Sequence, residues 1–453
     1  MGADYNHIDI YHFFNAYQTT ANWITQNKTK KQTFINNLLE HTQVIWYQIN
    51  QDPHKDSNTD SRDIFMRLNS GKIPLTNAEL IKALFINVIK DENQEAATLK
   101  QSELAQEWDK IECALQNNEF WSFINQNPQK NTIATRIEFI FDLITNKPNE
   151  NQEQFFSFYY YQKELNVKTH QDEWKKVKDC FLQLQEWFED NKLYHLIGFI
   201  IHQKTKLIKD LLTESKNLTK TEFALSLETM IGKALKKHEL NKLSYGEDND
   251  SLTAILLLFN IDILLQENSI SRFSFEQFKS KQWSLEHIHA QHSKQLDDDK
   301  ELNTWLSYAI PIINNINNDK AHQLKESLAK IREDQRAFDK KKDEISKLRT
   351  AFVNLFGDAN ELDEMETLHG IENLALLDTK TNSALNNNIF PSKREEIINK
   401  DRNGLFIPIA TKNVFLKYYS PQVVDVYTWS ALDRKHYQEA IATTLKKYTN
   451  LSK

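Results

Sequence analysis

Trp283-Ser-Leu-Glu-His-Ile-His-Ala-Gln291 and, downstream, Ile371-Glu-Asn-Leu-Ala-Leu-Leu-Asp-Thr-Lys-Thr-Asn-Ser383 set the C-terminal third of this chain apart from the rest. Short apolar runs over 283–288 and 371–377 suit strands, whereas the pattern upstream is helical. A boundary therefore falls near 270–283. Between the two tracts lies a long polar excursion. Its stretch Lys320 to Leu355 is strongly charged with sparse apolar positions and predicts a long exposed helix or a helical hairpin.

Outward from these tracts the chain reads as helical. Only 8 Gly and 8 Pro in 453 residues argue against a turn-rich all-β protein. Apolar and aromatic spacing predicts helices within 8–50 and over 77–90, 100–116, 132–145, 172–214 and 219–237. Gln51–Ser61 is polar, holds Pro53 and reads as a loop. Thr76 is a predicted N-cap, and Glu79 completes a capping box. The aromatic run Phe155 to Tyr161 reads as packed core. The longest apolar stretch, Leu252 to Leu265, is broken by Asn260 and Asp262 and is too short to span a bilayer, so it reads as a buried helix and no membrane partner is expected. The fold class expected is mainly α, in three parts: 1–95, a helical middle domain 96–270, and a C-terminal domain 271–453 carrying an insertion at about 299–356.

A hydrophobic content of 40% and a charged content of 26% are ordinary for a soluble protein. The net charge of −7 does not advertise a polyanion partner. From Lys380 to Lys453, however, 12 Lys/Arg stand against 6 Asp/Glu, a local balance of +6. A basic flank of this kind suits a phosphodiester substrate, and equally a solvated helical surface. Cys113 and Cys180 fit no metal spacing and are read as buried, reduced thiols of a cytoplasmic protein. The N-terminus lacks the basic and apolar regions of a signal peptide.

Glu286 beside His287, followed by Asn373 and Asn382, has the residue types that phosphodiester hydrolysis needs. That reaction requires an activated water, a cation on the phosphate and help for the leaving oxygen. His287 is the candidate general base, because imidazole titrates near neutral pH. Asn373 is the candidate for orienting the His287 ring. Glu286 and Asn382 are candidate metal ligands, and all-oxygen ligation favours Mg²⁺ or Mn²⁺. A Glu-His dipeptide is also a common surface pair, and His289, His292 and His369 are competing histidines. Lys393 and Arg394 are candidate phosphate contacts, and a helix surface explains them equally well.

Taken together, Leu285-Glu-His-Ile-His-Ala-Gln291, Gly370-Ile-Glu-Asn-Leu-Ala-Leu-Leu377, Asn382-Ser-Ala-Leu385, Phe390, Lys393-Arg394 and the trailing Phe406 to Tyr419 resemble the C-terminal HNH (His-Me finger) nuclease domain of the GmrSD-type restriction endonucleases. The resemblance implies a ββα-metal module in which Glu286 and Asn382 hold the ion, His287 is the base and Asn373 the orienting residue. It implies a metal-dependent DNA endonuclease that restricts foreign or modified phage DNA. Phe65-Met-Arg-Leu-Asn-Ser-Gly-Lys-Ile-Pro-Leu75 and Glu79-Leu-Ile-Lys82 are similar to the companion ParB-like domain, whose Asp-Gly-Gln-Gln-Arg motif is missing from the chain. Residues 1–95 therefore read as a remnant: either a separate N-terminal nucleotide-hydrolase lobe or subunit is a partner, or the chain is a truncated or internally initiated product. Ala290 and Glu372 stand where many members have Pro and Gly. A different class of reading, a non-catalytic DNA-binding or assembly subunit, remains open, as does an RNase or a nicking enzyme. One such site cuts one strand, so double-strand cleavage would call for a homodimer.

Overall fold

Helices dominate the chain, as the scarcity of Gly and Pro leads one to expect. The computed structural model describes residues 8–43, 75–90, 93–126, 134–148, 153–235, 240–266, 271–289, 296, 298–314, 319–356, 369–385, 390–420 and 429–450. The loop 51–61, the tract 63–74, Ala290, His292 and 386–388 lie outside them. Contacts divide the chain into two units, Met1–Trp121 with Lys130–Glu186, and Ser122–Gln129 with Trp187–Lys453. These divisions fall at different places from the boundaries at 95 and 270 read from the sequence.

The first unit holds α1 (Ile8–Gln26), α2 (Lys31–Glu40), α3 (Asn77–Val88), α4 (Gln94–Leu115), the start of α5 (Asn118–Ile124), α6 (Ile137–Ile144), α7 (Phe156–Glu164) and most of α8 (His170–Glu189). The capping box at the head of α3 is formed: the Glu79 amide donates to Thr76 Oγ1 while Glu79 takes the Thr76 amide at 2.7 Å. Its core is aromatic. Trp108 stacks on Trp174 with ring centroids 5.7 Å apart, and Phe85 and Phe141 close on Tyr161. The aromatic run 155–161 is thus partly core, through Tyr161, with Tyr159 exposed. Cys113 and Cys180 form no disulfide among the described residues and are only half-buried, short of the full burial expected from sequence.

The second unit continues with α9 (Asn191–His202), α10 (Ile208–Ser215), α11 (Lys220–Leu235), α12 (Asn249–Gln266) and α13 (Phe275–Lys279). Strand β1 (Trp283–His287) follows, then α14 (Asp299–Asn314), α15 (Asp319–Glu333) and α16 (Phe338–Phe356). After β2 (Leu374–Asp378) come α17 (Thr379–Leu385), α18 (Phe390–Arg402), α19 (Ile409–Phe415) and α20 (Ala431–Asn450). The charged excursion is a helical hairpin, α15–α16, and with α14 it has a small core of its own around Leu306, Leu328 and Phe352. Strands β1 and β2 pair antiparallel, Glu286 opposite Ala375 and His287 opposite Leu374.

Helix α12 is the floor on which this pair sits. It is long and apolar enough to cross a membrane, but most of it is buried inside the protein. Its two polar interruptions are satisfied from other elements, as buried polar groups must be. Asn260 Oδ1 takes the Ala410 amide at 2.7 Å, which secures the start of α19. Asp262 takes the Tyr448 hydroxyl at 2.8 Å and pairs with Lys447, which fastens α20. The segment entering β1 is also tied down. Tyr194 Oη donates to Phe273 O, and the Phe273 amide donates to His195 Nε2 at 2.9 Å.

Two consequences are measurable. A methyl group at Gly198 of α9 would come within 2.2 Å of the buried Phe275 ring, so Gly198→Ala is expected to destabilise the protein by about 1–3 kcal/mol. Urea unfolding compared with wild type measures it. His195 is fully buried, and burial lowers its pKa to about 4. Its Nδ1 faces the Asn191 carbonyl and its Nε2 accepts from Phe273, so the native ring is neutral. An unfolded chain takes up the proton near pH 6.5, and the folded one only near 4. His195 therefore opposes unfolding fully above pH 6.5, and this contribution, roughly 3 kcal/mol, is lost as pH falls from 6.5 to 4. Denaturant titrations at several pH values should show that slope, reduced in His195→Gln.

Candidate functional site

Strand β1 ends at His287, which places Glu286 on the strand and the imidazole at its exit. Chain alternation puts Ser284 and Glu286 on one face. Helix α17 follows β2 without a gap, and Asn382 lies on it. Asn382 Nδ2 donates to Ser284 Oγ at 2.8 Å and to Leu285 O at 3.2 Å. Asn382 thus lies over the Glu286 face of β1, and the amide oxygen remains the end suited to a cation.

Asn373 is fully buried in the short 3-10 turn Ile371–Asn373 that leads into β2. Its Oδ1 takes the His289 amide at 2.9 Å, and its Nδ2 donates to His289 O at 3.0 Å. Its own carbonyl takes the Ile288 amide at 2.8 Å. The Asn373 amide thus grips the main chain just beyond His287. Orientation reaches His287 through the backbone. This also explains why the strand expected from 371 begins only at Leu374: the turn is needed to swing the amide towards His289. His289 lies past the strand end.

The His287 ring meets two groups that no local spacing brings near it. His287 Nε2 lies 3.3 Å from His369 Nδ1. Tyr245, on the loop before α12, packs edge-on at 4.5 Å between centroids, and its amide donates to His369 O at 2.9 Å. Burial, then the neighbouring His369 and Lys393, lowers the His287 pKa to about 4, so the ring is neutral at physiological pH.

Lys393 departs furthest from expectation. Its position after Asn382 suits a phosphate contact or an exposed helix face, but only 1% of it is exposed. Its ammonium pairs with Glu286 Oε1 and donates to His287 O at 2.6 Å. Burial raises the Glu286 carboxyl pKa and Lys393 pulls it back. Arg394, one residue on, is half-buried with its Nε unpartnered among the described residues. Glu372 is half-buried as well. It folds back over Gly370 and takes a weak hydrogen bond from Gln438 on α20.

Glu286 and the His287 carbonyl offer oxygen donors of the kind a hard cation takes. The Lys393 ammonium already occupies a position between a carboxylate and a main-chain carbonyl, both hard oxygen donors. Among the described residues no group of three or more His, Cys, Asp or Glu is placed to hold a metal ion, so the candidate ligands are one carboxylate, Glu286, and the Asn382 amide. No protein-family model, curated protein or solved structure matches the chain.

Removing the Asn373 amide should be costly, since it satisfies two main-chain groups at once. Asn373→Ala is expected to lower stability by about 2–4 kcal/mol, as two buried polar groups lose their partner. Asn373→Asp should be at least as damaging, because it loses the donor to His289 O and buries a charge. Both are read by chemical denaturation.

Proposed function

We propose that β1, β2 and α17 form a ββα-metal (HNH) nuclease module and that the chain is a divalent-metal-dependent DNA endonuclease. Its role is restriction of foreign or modified phage DNA. The observation that carries this reading is the position of His287: a neutral imidazole at a strand exit, held between His369 and Tyr245, beside Glu286 and on the strand that Asn382 covers.

When His287 Nε2 donates to His369 Nδ1, the lone pair on His287 Nδ1 is left to take a proton from water. A neutral ring is the form a general base needs. Asn373 fixes the chain that follows the base, which keeps the ring from turning away. Glu286 and Asn382 would hold an Mg²⁺ or Mn²⁺ ion, which would supply positive charge to the scissile phosphate and the leaving oxygen. Arg394 is the candidate contact for a neighbouring phosphate while Lys393 is paired with Glu286.

One observation favours a second reading. The Lys393–Glu286 pair occupies the carboxylate on which metal binding depends. A DNA-binding or assembly subunit without cleavage would have no need to free it.

Plasmid and modified phage DNA are incubated with wild type and His287→Ala in Mg²⁺, Mn²⁺ or EDTA, with a gel-shift assay alongside. Cleavage that needs the ion and falls by about 100-fold or more in the variant is the expected outcome. Equal cleavage by His287→Ala would overturn the assignment of the base. Binding without cutting would support the second reading.

A further inference from the structure

Position and surroundings mark Lys393 as more than a core lysine. It lies at the N-terminal end of α18, where the helix macrodipole disfavours a positive charge. Burying an ammonium there is costly unless it is paired. Two oxygens compensate it, Glu286 Oε1 and His287 O, and both belong to the strand end that carries the candidate base. The same carboxylate is the candidate first ligand of a divalent ion. A divalent ion on either oxygen of Glu286 would stand close to the Lys393 ammonium paired with Oε1, and the two cations would repel each other in a poorly screened site.

We propose that Lys393 is the resident cation of this site, a tethered stand-in that competes with the divalent ion for Glu286 and must withdraw for the ion to bind. This rests on the nuclease reading of the same residues. Lys393 is then a positioning residue: it keeps β1, the base and α18 together while no metal is bound. Withdrawal leaves Glu286 with a doubly charged partner in place of a singly charged one. The ammonium freed from Glu286 moves to where solvent or a phosphate neutralises it.

The experiment is a Mn²⁺ titration of the full chain, with free Mn²⁺ read by electron paramagnetic resonance, on wild type, Lys393→Gln and Glu286→Gln. Lys393→Gln is expected to bind Mn²⁺ at least about tenfold more tightly than wild type, since the competing charge is gone. Its melting temperature should fall without metal and recover with Mn²⁺. Glu286→Gln should lose the site. Equal or weaker binding by Lys393→Gln, with binding by wild type intact, would overturn the competition and leave the nuclease reading standing. Absence of Glu286-dependent binding in both proteins would remove the metal reading and the inference with it.

Lys393→Gln leaves Glu286 buried without its partner and can fail to fold, so a measurement on wild type runs in parallel. Reductive methylation, mapped by mass spectrometry, should spare the buried Lys393 in metal-free protein and reach it several-fold faster once Mn²⁺ is bound. Unchanged protection of Lys393 at saturating Mn²⁺ would equally overturn the proposal.

Discussion

Two strands of five residues do not hold together in water, and the candidate site depends on what compensates for that. An isolated pair of this size is at best marginally stable and needs a packed face. Here α12 supplies the face, with α19 and α20 closing around it. The β2 carbonyls that point away from β1 are taken by side chains from those closing helices: Thr411 donates to Leu376 O at 2.8 Å and Tyr437 to Leu374 O at 3.3 Å. At the open end Asn373 clips the two strands together through His289. The polar interruptions of α12 have the same logic. Asn260 and Asp262 are not defects in an apolar helix but the points where α19 and α20 are fastened to it. The candidate base His287 therefore stands on a frame held by packing and by these hydrogen bonds, as a general base would require.

Much of this architecture is legible in the sequence. The low Gly and Pro content gives the helical class, and Thr76 with Glu79 gives a helix start to the residue. The strand tracts are legible because their apolar runs are short. Periodicity fails where tertiary contacts decide. The 172–214 stretch reads as one helical pattern, yet it is three helices, because Asp190 caps α9 by taking the Leu193 amide at 2.8 Å. At the start of β2 the run from 371 looks extended, but the reach of Asn373 to His289 imposes a turn.

The site is less legible than the fold for a reason of the same kind. Glu286, His287 and Asn382 fall on one short strand and the helix covering it, so local spacing carries information about them. His369 and Tyr245 reach His287 only because α12 and β2 pack together. A histidine before Gly370 and a tyrosine on a polar loop give no sign of that contact. Lys393-Arg-Glu-Glu396 is the plainest case. Four consecutive charges read as a solvated helical face, and for Arg394 onward partial exposure agrees. Lys393 alone is turned inward, and only the position of Glu286 across the fold accounts for it.

A buried ion pair of this kind is weak evidence for stability, because desolvation offsets most of the attraction between the charges. An apolar pair of similar volume would hold β1 against α18 about as well. What the charges add is responsiveness. A methyl group in place of the ammonium would offer no charge to a ligand, whereas on the proposal above the ammonium on Glu286 would be displaced by another cation. The cost of burying Lys393 at a helix N-terminus is thus better explained by the chemistry of the strand end than by the cohesion of the core.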